Sequence, residues 1–365
     1  MTVKATCLVG LDVHARQTHA TVLDRASGEV SARRLRGTPE EAVLPFLERL
    51  RTTDLLAVYE AGPTGFGLAR EAGRRGLDVR VVAPGSIPRA PGDRVKTDPR
   101  DSLRLVRLLA AGELSFAFVP TVEDEHFRDL VRTIEDVRGD LMRARHRLGK
   151  FLLRRGQRYP GPGRAWTARH LGWLRALRFE DACSQATFAD YLASVELLLG
   201  RRATLHTTLE NAIPDSSHAP VVGRIRCFRG IDTLSAAGVC AEVGDFRRFP
   251  RPTLLSGFLG IVPSERTSDT RRRQGSITKA GPVHARRLLV EAAHHYRHRP
   301  IVGEVLARRQ ADQDPRVIAI AWRAQRRLHQ RWQHLHHDRR KPSGIVAIAC
   351  ARELASFLWE TAVLD

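Results

Sequence analysis

Four acidic residues stand where they could share a divalent cation. Asp12 closes the apolar run Cys7 to Leu11, and Glu60 closes a second run, Leu55 to Tyr59, directly before the turn Ala61-Gly62-Pro63. A carboxylate at the end of a buried strand is costly unless it is paired in a salt bridge or binds a metal. Asp98 and Asp101 flank Pro99 and Arg100, and on a helix start their spacing puts both carboxylates on one face. The same spacing also suits an N-cap followed by an acid that the helix dipole favours. Converging, the four would form a cage for Mg²⁺, which takes oxygen ligands and can clamp the attacking and leaving oxygens of an in-line displacement at a phosphodiester.

A second candidate site runs from Arg266 to Lys279. It sets Thr267, Ser268, Thr270, Ser276 and Thr278 among Arg266, Arg271, Arg272, Arg273 and Lys279. Hydroxyl nucleophiles beside guanidinium groups could attack a phosphate and stabilise its transition-state charge, or the stretch could be a basic loop that only grips backbone. A third stretch, Arg323 to Lys341, holds seven Arg or Lys, four histidines and one acid, Asp338, with Trp322 and Trp332 in or beside it. That mixture suits stacking on unpaired bases, and equally a basic surface over a tryptophan-containing core. His294, His295 and His298 have no Cys partner nearby and read as an Arg-rich helix face rather than a metal site.

The elements that must carry these residues follow from periodicity. Residues 5–36 read as a three-stranded meander, with Thr38, Pro39, Glu40 and Glu41 starting a helix that runs to about Leu50. Strand Leu55 to Glu60, a helix over Gly65 to Arg75 and strand Val79 to Ala83 complete a mixed α/β sheet. After the linker Pro84 to Pro91 comes a helix ending near Gly112. From Glu123 to Arg155 the apolar positions Phe127, Leu130, Ile134, Val137, Leu141, Ala144, Leu148 and Phe151 alternate in steps of three and four. This heptad seam predicts a long rod that the second stretch Phe188, Leu192, Val195, Leu199 could fold back on, or that could meet a partner chain. Near Pro220 a third region begins. There Arg226 to Asp232 presents the N-terminus of a small-residue helix, Thr233 to Val243, a feature able to bind phosphate. An apolar segment Leu254 to Val262, a loop Pro263 to Gly281, and helices over His284 to Tyr296, Pro315 to His337 and Ser343 to Glu360 follow.

Composition narrows the partners. The 365 residues carry 60 Lys+Arg against 40 Asp+Glu, a net charge of +20, and a hydrophobic fraction of 42%, enough for two or three folded domains and too much for a chain mainly disordered. Fifty-five of the basic residues are arginine, the side chain that holds phosphate bidentately, so the excess of base points to DNA, RNA or both. The longest uninterrupted apolar run, Ile345 to Ala351, falls far short of the roughly 20 residues of a membrane-spanning helix. The first residues, with Asp12 and His14 close behind, lack the apolar core of a signal peptide, so a cytoplasmic protein without membrane contact is expected. Cys7, Cys183, Cys227, Cys240 and Cys350 lack metal-site spacing and are expected to be buried thiols.

The segments Val9-Gly10-Leu11-Asp12, Tyr59 to Gly65, Lys96-Thr97-Asp98-Pro99-Arg100-Asp101, Gly260 to Ser264 and Gly275 to Gly281 resemble, in order and spacing, the DEDD transposases of the insertion-sequence one-ten and eleven-eleven family. The resemblance spans nearly the whole chain. It implies a fold of α/β plus α class: a RuvC-like mixed sheet of ribonuclease H type, a coiled-coil middle, and a mostly helical C-terminal transposase domain. The corresponding boundaries are 1–122, 123–219, 220–310 and, for the basic C-terminal helices, 311–365. It also implies a site-specific DNA recombinase that works on double-stranded element ends and target, guided by a bridge RNA. Asp12, Glu60, Asp98 and Asp101 would bind Mg²⁺, and Ser268, matching the second serine of the family's Ser-Ser-Gly, would be the nucleophile. Arg266, Arg271, Arg272, Arg273 and Lys279 would hold nucleic acid. Thr267 and Asp269 depart from the pattern, and Pro99 stands where a basic residue is common. A homodimer or homotetramer is expected from the seam. The alternatives are a DNA invertase, a RuvC-like junction resolvase that makes no use of Ser268, or a derivative that binds nucleic acid without strand transfer.

Overall fold

The computed structural model describes residues 4–50, 54–88, 98–268 and 271–364; the side chains of Ser86 and of residues 266–268 and 271–273 fall outside that description. Lys96, Thr97, Asp269 and Thr270, which belong to two of the motifs above, lie outside the described residues, as does the end of the linker that reaches Pro91. The chain divides into two compact units, Met1–Thr121 and Val122–Asp365.

In the first unit β1 (Cys7–Val13), β2 (Gln17–Asp24) and β3 (Val30–Arg36) form an antiparallel meander. It is followed by α1 (Pro39–Leu50), β4 (Leu55–Glu60), α2 (Gly67–Arg74), β5 (Asp78–Val82) and α3 (Asp98–Ala110). The sheet order is β3-β2-β1-β4-β5, with β4 parallel to both β1 and β5. Side chains alternate across a strand, so each of the two central strands supplies both faces. Val9, Leu11, Ala57 and Tyr59 pack under α1 and α2 with Leu44, Leu47 and Leu68. Leu8, Leu56 and Val58 pack under α3 with Leu105, Val106 and Leu109. Burial on both faces is why β1 and β4 read as nearly unbroken apolar runs. Thr38 and Glu41 form a capping box, each bonding the other's backbone N–H, and fix the start of α1. The outer strand β3 exposes Arg33, Arg34 and Arg36, charges that discourage edge-to-edge pairing.

The second unit opens with the 33-residue α4 (Val122–Arg154), then α5 (Ala168–Ala176) and the 31-residue α6 (Ala182–Ala212). The heptad seam is satisfied within the chain. Val137, Leu141, Ala144, Leu148 and Phe151 of α4 share one core with Phe188, Leu192, Val195 and Leu198 of α6. Phe151 packs edge-on to Tyr191, with centroids 5.9 Å apart, while Phe127 and Val131 join Leu209 and Ile213 at the other end, so the two helices run antiparallel. The seam therefore needs no partner chain to bury its core positions. Leu141→Lys is expected to place an unpaired charge at a site only 2% exposed. The cost is about 3–5 kcal/mol and lowers the melting temperature by roughly 10 °C, without dissociating any oligomer. Calorimetry combined with light scattering checks this, and loss of an oligomer at unchanged melting temperature would contradict it.

The remaining helices are α7 (Ala219–Ile225), α8 (Thr233–Val243), α9 (Pro252–Phe258), α10 (Val283–Ala293), α11 (Glu304–Gln310), α12 (Pro315–Gln333) and α13 (Ser343–Ala362). Among them α8 packs against α4, α6, α7 and α10, and its residues Ala236 to Val243 are all buried. Glu242 is among them and accepts two hydrogen bonds from Arg132 of α4, at 3.0 and 2.9 Å. Burial alone would raise its carboxyl, but His284 and Arg132 hold it down to about 2. This ion pair, with Glu242 buried and Arg132 at the surface, ties the long hairpin to the helical core.

One expected loop is a hairpin. Between Pro263 and Gly281 the chain forms β6 (Pro263–Ser268) and β7 (Arg271–Ile277), antiparallel, with Arg266 opposite Arg273, Thr267 opposite Arg272 and Ser268 opposite Arg271. The arginine run hides the strand because neither face is apolar, so no period-2 signal survives. Four of the five cysteines are buried as expected, but Cys183 is exposed at the start of α6. Among the described residues no helix is long and apolar enough to cross a membrane.

Candidate active site

Sheet register brings the first two acids to one edge. Leu11 is paired with Tyr59, so Asp12 and Glu60 occupy the next position on adjacent parallel strands and belong to the face covered by α3. Asp12 is directly opposite His19 on β2. The first turn of α3 contributes Asp98 and Asp101.

The seating of α3 explains why these groups meet. A Cβ at Gly10 would lie 2.2 Å from the Ser102 carbonyl oxygen and 2.8 Å from the Val106 nitrogen, so only glycine lets the helix backbone approach β1 this closely. The Thr21 and Ser102 hydroxyls, 2.8 Å apart, add a buried hydrogen bond across the same contact. Gly10→Ala is therefore expected to push α3 outward, costing roughly 1–3 kcal/mol, and to reduce strand transfer more than it reduces stability, because Asp98 and Asp101 ride on the displaced helix. Activity and a melting curve on the same preparation check the pairing of effects; full activity in the variant would contradict it.

Asp12, His14 and Asp98 form a cluster whose ligand atoms all lie within 4.8 Å of one another. A His14 ring nitrogen is 3.3 Å from Asp12 Oδ2 and 3.7 Å from Asp98 Oδ1, and His19 Nε2 is 3.6 Å from Asp98 Oδ2. Burial pushes the Asp12 carboxyl above its ordinary range; His14 opposes the shift, while Asp98 and Asp101 add to it. Asp101 is thus near enough to act on Asp12 electrostatically, whereas Glu60 stands outside the three-residue cluster. Carboxylates that repel one another in a half-buried site suit a hard divalent cation, which would relieve the repulsion. His14 and His19 carried no signal as single residues. Asp12 and His14 two apart, with His19 across a short hairpin, could have revealed them once the register was drawn.

The second candidate site lies in the other unit. Ser268 ends β6, and Arg266, Arg271, Arg272 and Arg273 occupy paired positions on the two strands. The hairpin base is clamped. Thr278 N–H bonds the Val262 carbonyl at 2.9 Å, and Lys279 N–H bonds the Gly260 carbonyl at 3.1 Å. Arg286 donates to the carbonyls of Leu259 and Ala280 at 3.0 and 2.6 Å. Gly260 and Gly281 both have φ of +65°, and a Cβ at either would strike the backbone at 2.2 or 1.9 Å, so both positions require glycine. Lys279 and Ser276 are exposed.

Two other sequence features are spent on structure. The N-terminus of α8 is capped by its own Asp232, whose side chain accepts from Ser235 N–H at 2.7 Å. In the basic stretch from Arg323, Trp332 is 3% exposed and packs against the rings of His294 and His336, so it belongs to the core. Trp322, at 38%, remains accessible.

Asp12 and Glu60 at the strand ends of the mixed sheet and Asp98 on α3 thus gather acidic groups in a chain of net charge +20. Comparison with known proteins gives the family. Residues 9–155 match a DEDD family model described as Transposase, and residues 223–305 match the one described as Transposase IS116/IS110/IS902 family. A Sinorhizobium fredii chain that carries a transposase name, y4qE, is 42% identical over 305 residues, covering 83% of this chain and 74% of its own. The transposase for insertion sequence element IS1533 of Leptospira borgpetersenii is 30% identical over 337 residues, covering 91% and 97%. The transposase for IS1111A of Coxiella burnetii is 37% identical over 70 residues, 19% of each chain. The chain belongs to the IS110 family of insertion-sequence transposases and is an enzyme that acts on DNA.

Proposed function

We propose that this transposase moves DNA by transesterification, with Ser268 as the nucleophile and Asp12, Glu60, Asp98 and Asp101 holding Mg²⁺. The observation that carries the reading is the Asp12–Asp98 cluster at the strand ends, a donor set suited to a hard cation. Ser268 Oγ attacks the scissile phosphorus, a P–O bond of the strand breaks, and the departing oxygen takes up a proton, leaving a phosphoserine ester. Because the phosphoserine linkage is itself a phosphodiester of similar energy, an attacking DNA hydroxyl can later displace Ser268 Oγ, which regains a proton, and join a new strand without an energy source. Bound Mg²⁺ would supply Lewis-acid stabilisation of the phosphate charge. Arg266, Arg271, Arg272, Arg273 and Lys279 would neutralise phosphate charge beside Ser268 and hold the strand.

In this reading residues 1–122 are a RuvC-like domain of ribonuclease H type, 123–219 the coiled-coil region, 220–310 the transposase domain with the serine, and 311–365 the basic C-terminal helices. Support for Ser268 comes from its motif, its place inside the matched segment 223–305, and its position at the end of β6 beside paired arginines. Guidance by a bridge RNA rests on the resemblance and on the +20 charge. The active assembly would be a homodimer or homotetramer, formed through surfaces other than the α4–α6 seam. The protein works in the cytoplasm, where its DNA is.

Cleavage of a labelled element end is expected to stop when divalent metal is chelated and to return with Mg²⁺. Cleavage that continues at full rate in excess chelator would sink the acidic-site assignment. Undiminished rate and unchanged target choice after removal of all RNA would sink the guide.

A further inference from the structure

A cavity of about 400 Å³ opens where the end of α4 meets the start of α5, well inside the roughly 300–1,000 Å³ of ligand pockets. Its lining includes Arg145, Lys150, Tyr159, Trp166, His170 and Trp173, and among the described residues no Asp or Glu lines it. The rings form a connected set. His170 lies 5.1 Å from Tyr159, 5.2 Å from Trp166 and 5.6 Å from Trp173, centroid to centroid. The Arg145 guanidinium sits over the Trp166 ring at 5.0 Å.

Two polar atoms here have no hydrogen-bond partner among the described residues: His170 Nδ1, on a residue only 6% exposed, and Arg145 Nε. Buried polar atoms without partners cost stability, and a ligand with its own donors and acceptors would satisfy them. Burial also lowers the His170 pKa, keeping the imidazole neutral and able to accept as well as donate. Among the described residues Trp166 is one of four non-glycine residues with positive φ, +72°, a conformation of real cost that is retained where the side chain must be held in place. Trp166 and Trp173 rest one side against the α4–α6 core, and the half-buried rings, with Tyr159, Arg145 and Lys150, leave a cavity open beside it.

We propose that this pocket binds an unstacked nucleobase of a single-stranded nucleic acid. The base would stack among Trp166, Trp173 and Tyr159, its edge would bond His170 and Arg145, and Lys150 would meet the flanking phosphate. Aromatic faces accept any base, while the cations favour a polyanion over a neutral apolar ligand. The inference rests on the nucleic-acid reading above, and it assigns to the helical hairpin a recognition role separate from strand cleavage.

The test uses the full chain with single-stranded ribo- and deoxyribo-oligonucleotides that carry one 2-aminopurine, and a blunt duplex as control. Stacking is expected to quench the 2-aminopurine emission with at least one of the two strands. Trp166→Ala should abolish the quench and weaken single-strand binding about tenfold while duplex binding stays within twofold; Trp166→Phe should retain it. In case Trp166→Ala disturbs the fold, photocrosslinking of a 5-iodouridine strand to the unaltered protein, mapped by mass spectrometry, should label the segment 145–173. Unchanged quenching in Trp166→Ala and Arg145→Gln, or crosslinks found only elsewhere, would overturn the pocket. Cleavage of DNA by the unaltered protein is read separately, so failure of the pocket leaves the catalytic reading standing.

Discussion

Asp12→Asn is expected to remove strand transfer, lowering its rate by about three orders of magnitude, while DNA binding and the fold persist. The amide keeps the shape of the carboxylate but not its charge, and the stabilisation a bound metal gives a phosphoryl transition state amounts to several kcal/mol, about tenfold in rate for each 1.4 kcal/mol. Glu60→Gln should act in the same direction. The metal-free protein offers an independent sign. The folded-state pKa of Asp12 is raised, so the folded protein holds this proton more tightly than the unfolded chain. Stability from this group is fully present below its unfolded value and declines as pH rises through the raised value. Metal-free Asp12→Asn should therefore melt no lower than the parent at pH 7, and their melting curves should converge in acid. Adding Mg²⁺ should raise the melting temperature of the parent alone. Equal stabilisation of both proteins by Mg²⁺ would contradict a metal role for Asp12.

Ser268→Ala should have an effect at least as large on strand exchange, because the variant has no oxygen with which to form the phosphoserine ester. DNA and RNA should still bind, since the arginines of β6 and β7 remain. Ser276→Ala, on β7 of the same hairpin, is expected to keep activity within a fewfold of the parent. Comparable losses in both variants would indicate damage to the hairpin rather than removal of a nucleophile.

The central strands were readable because β1 and β4 are buried on both faces and so appear as apolar runs of strand length. The long helix was readable from its seam, but a heptad pattern does not say what covers it. That α6 returns antiparallel, with Phe151 against Tyr191, depends on the course of the chain between them. The short helices α5, α7 and α11 carry no readable period, being only 9, 7 and 7 residues long. The hairpin β6–β7 was missed because Arg271-Arg272-Arg273 offers no apolar face.

At the acidic site the residue types were legible, but their meeting was not. Asp98 reaches Asp12 only because Gly10 admits the backbone of α3, a contact between residues about ninety apart in sequence. His14 and His19 became visible only through the pairing of β1 with β2. In the third basic stretch the structure separates two equal readings: Trp332 is a core residue, as a basic surface over a tryptophan-containing core expects, while Trp322 stays accessible.

The most direct measurement is a denaturing gel of the protein mixed with labelled element ends, followed by mass spectrometry of any adduct. The expected result is a protein–DNA adduct that survives detergent, maps to Ser268, requires divalent metal, and is absent from Ser268→Ala and Asp12→Asn. An active enzyme that forms no adduct even with stalled substrates, or an adduct that persists in Ser268→Ala, would contradict the account.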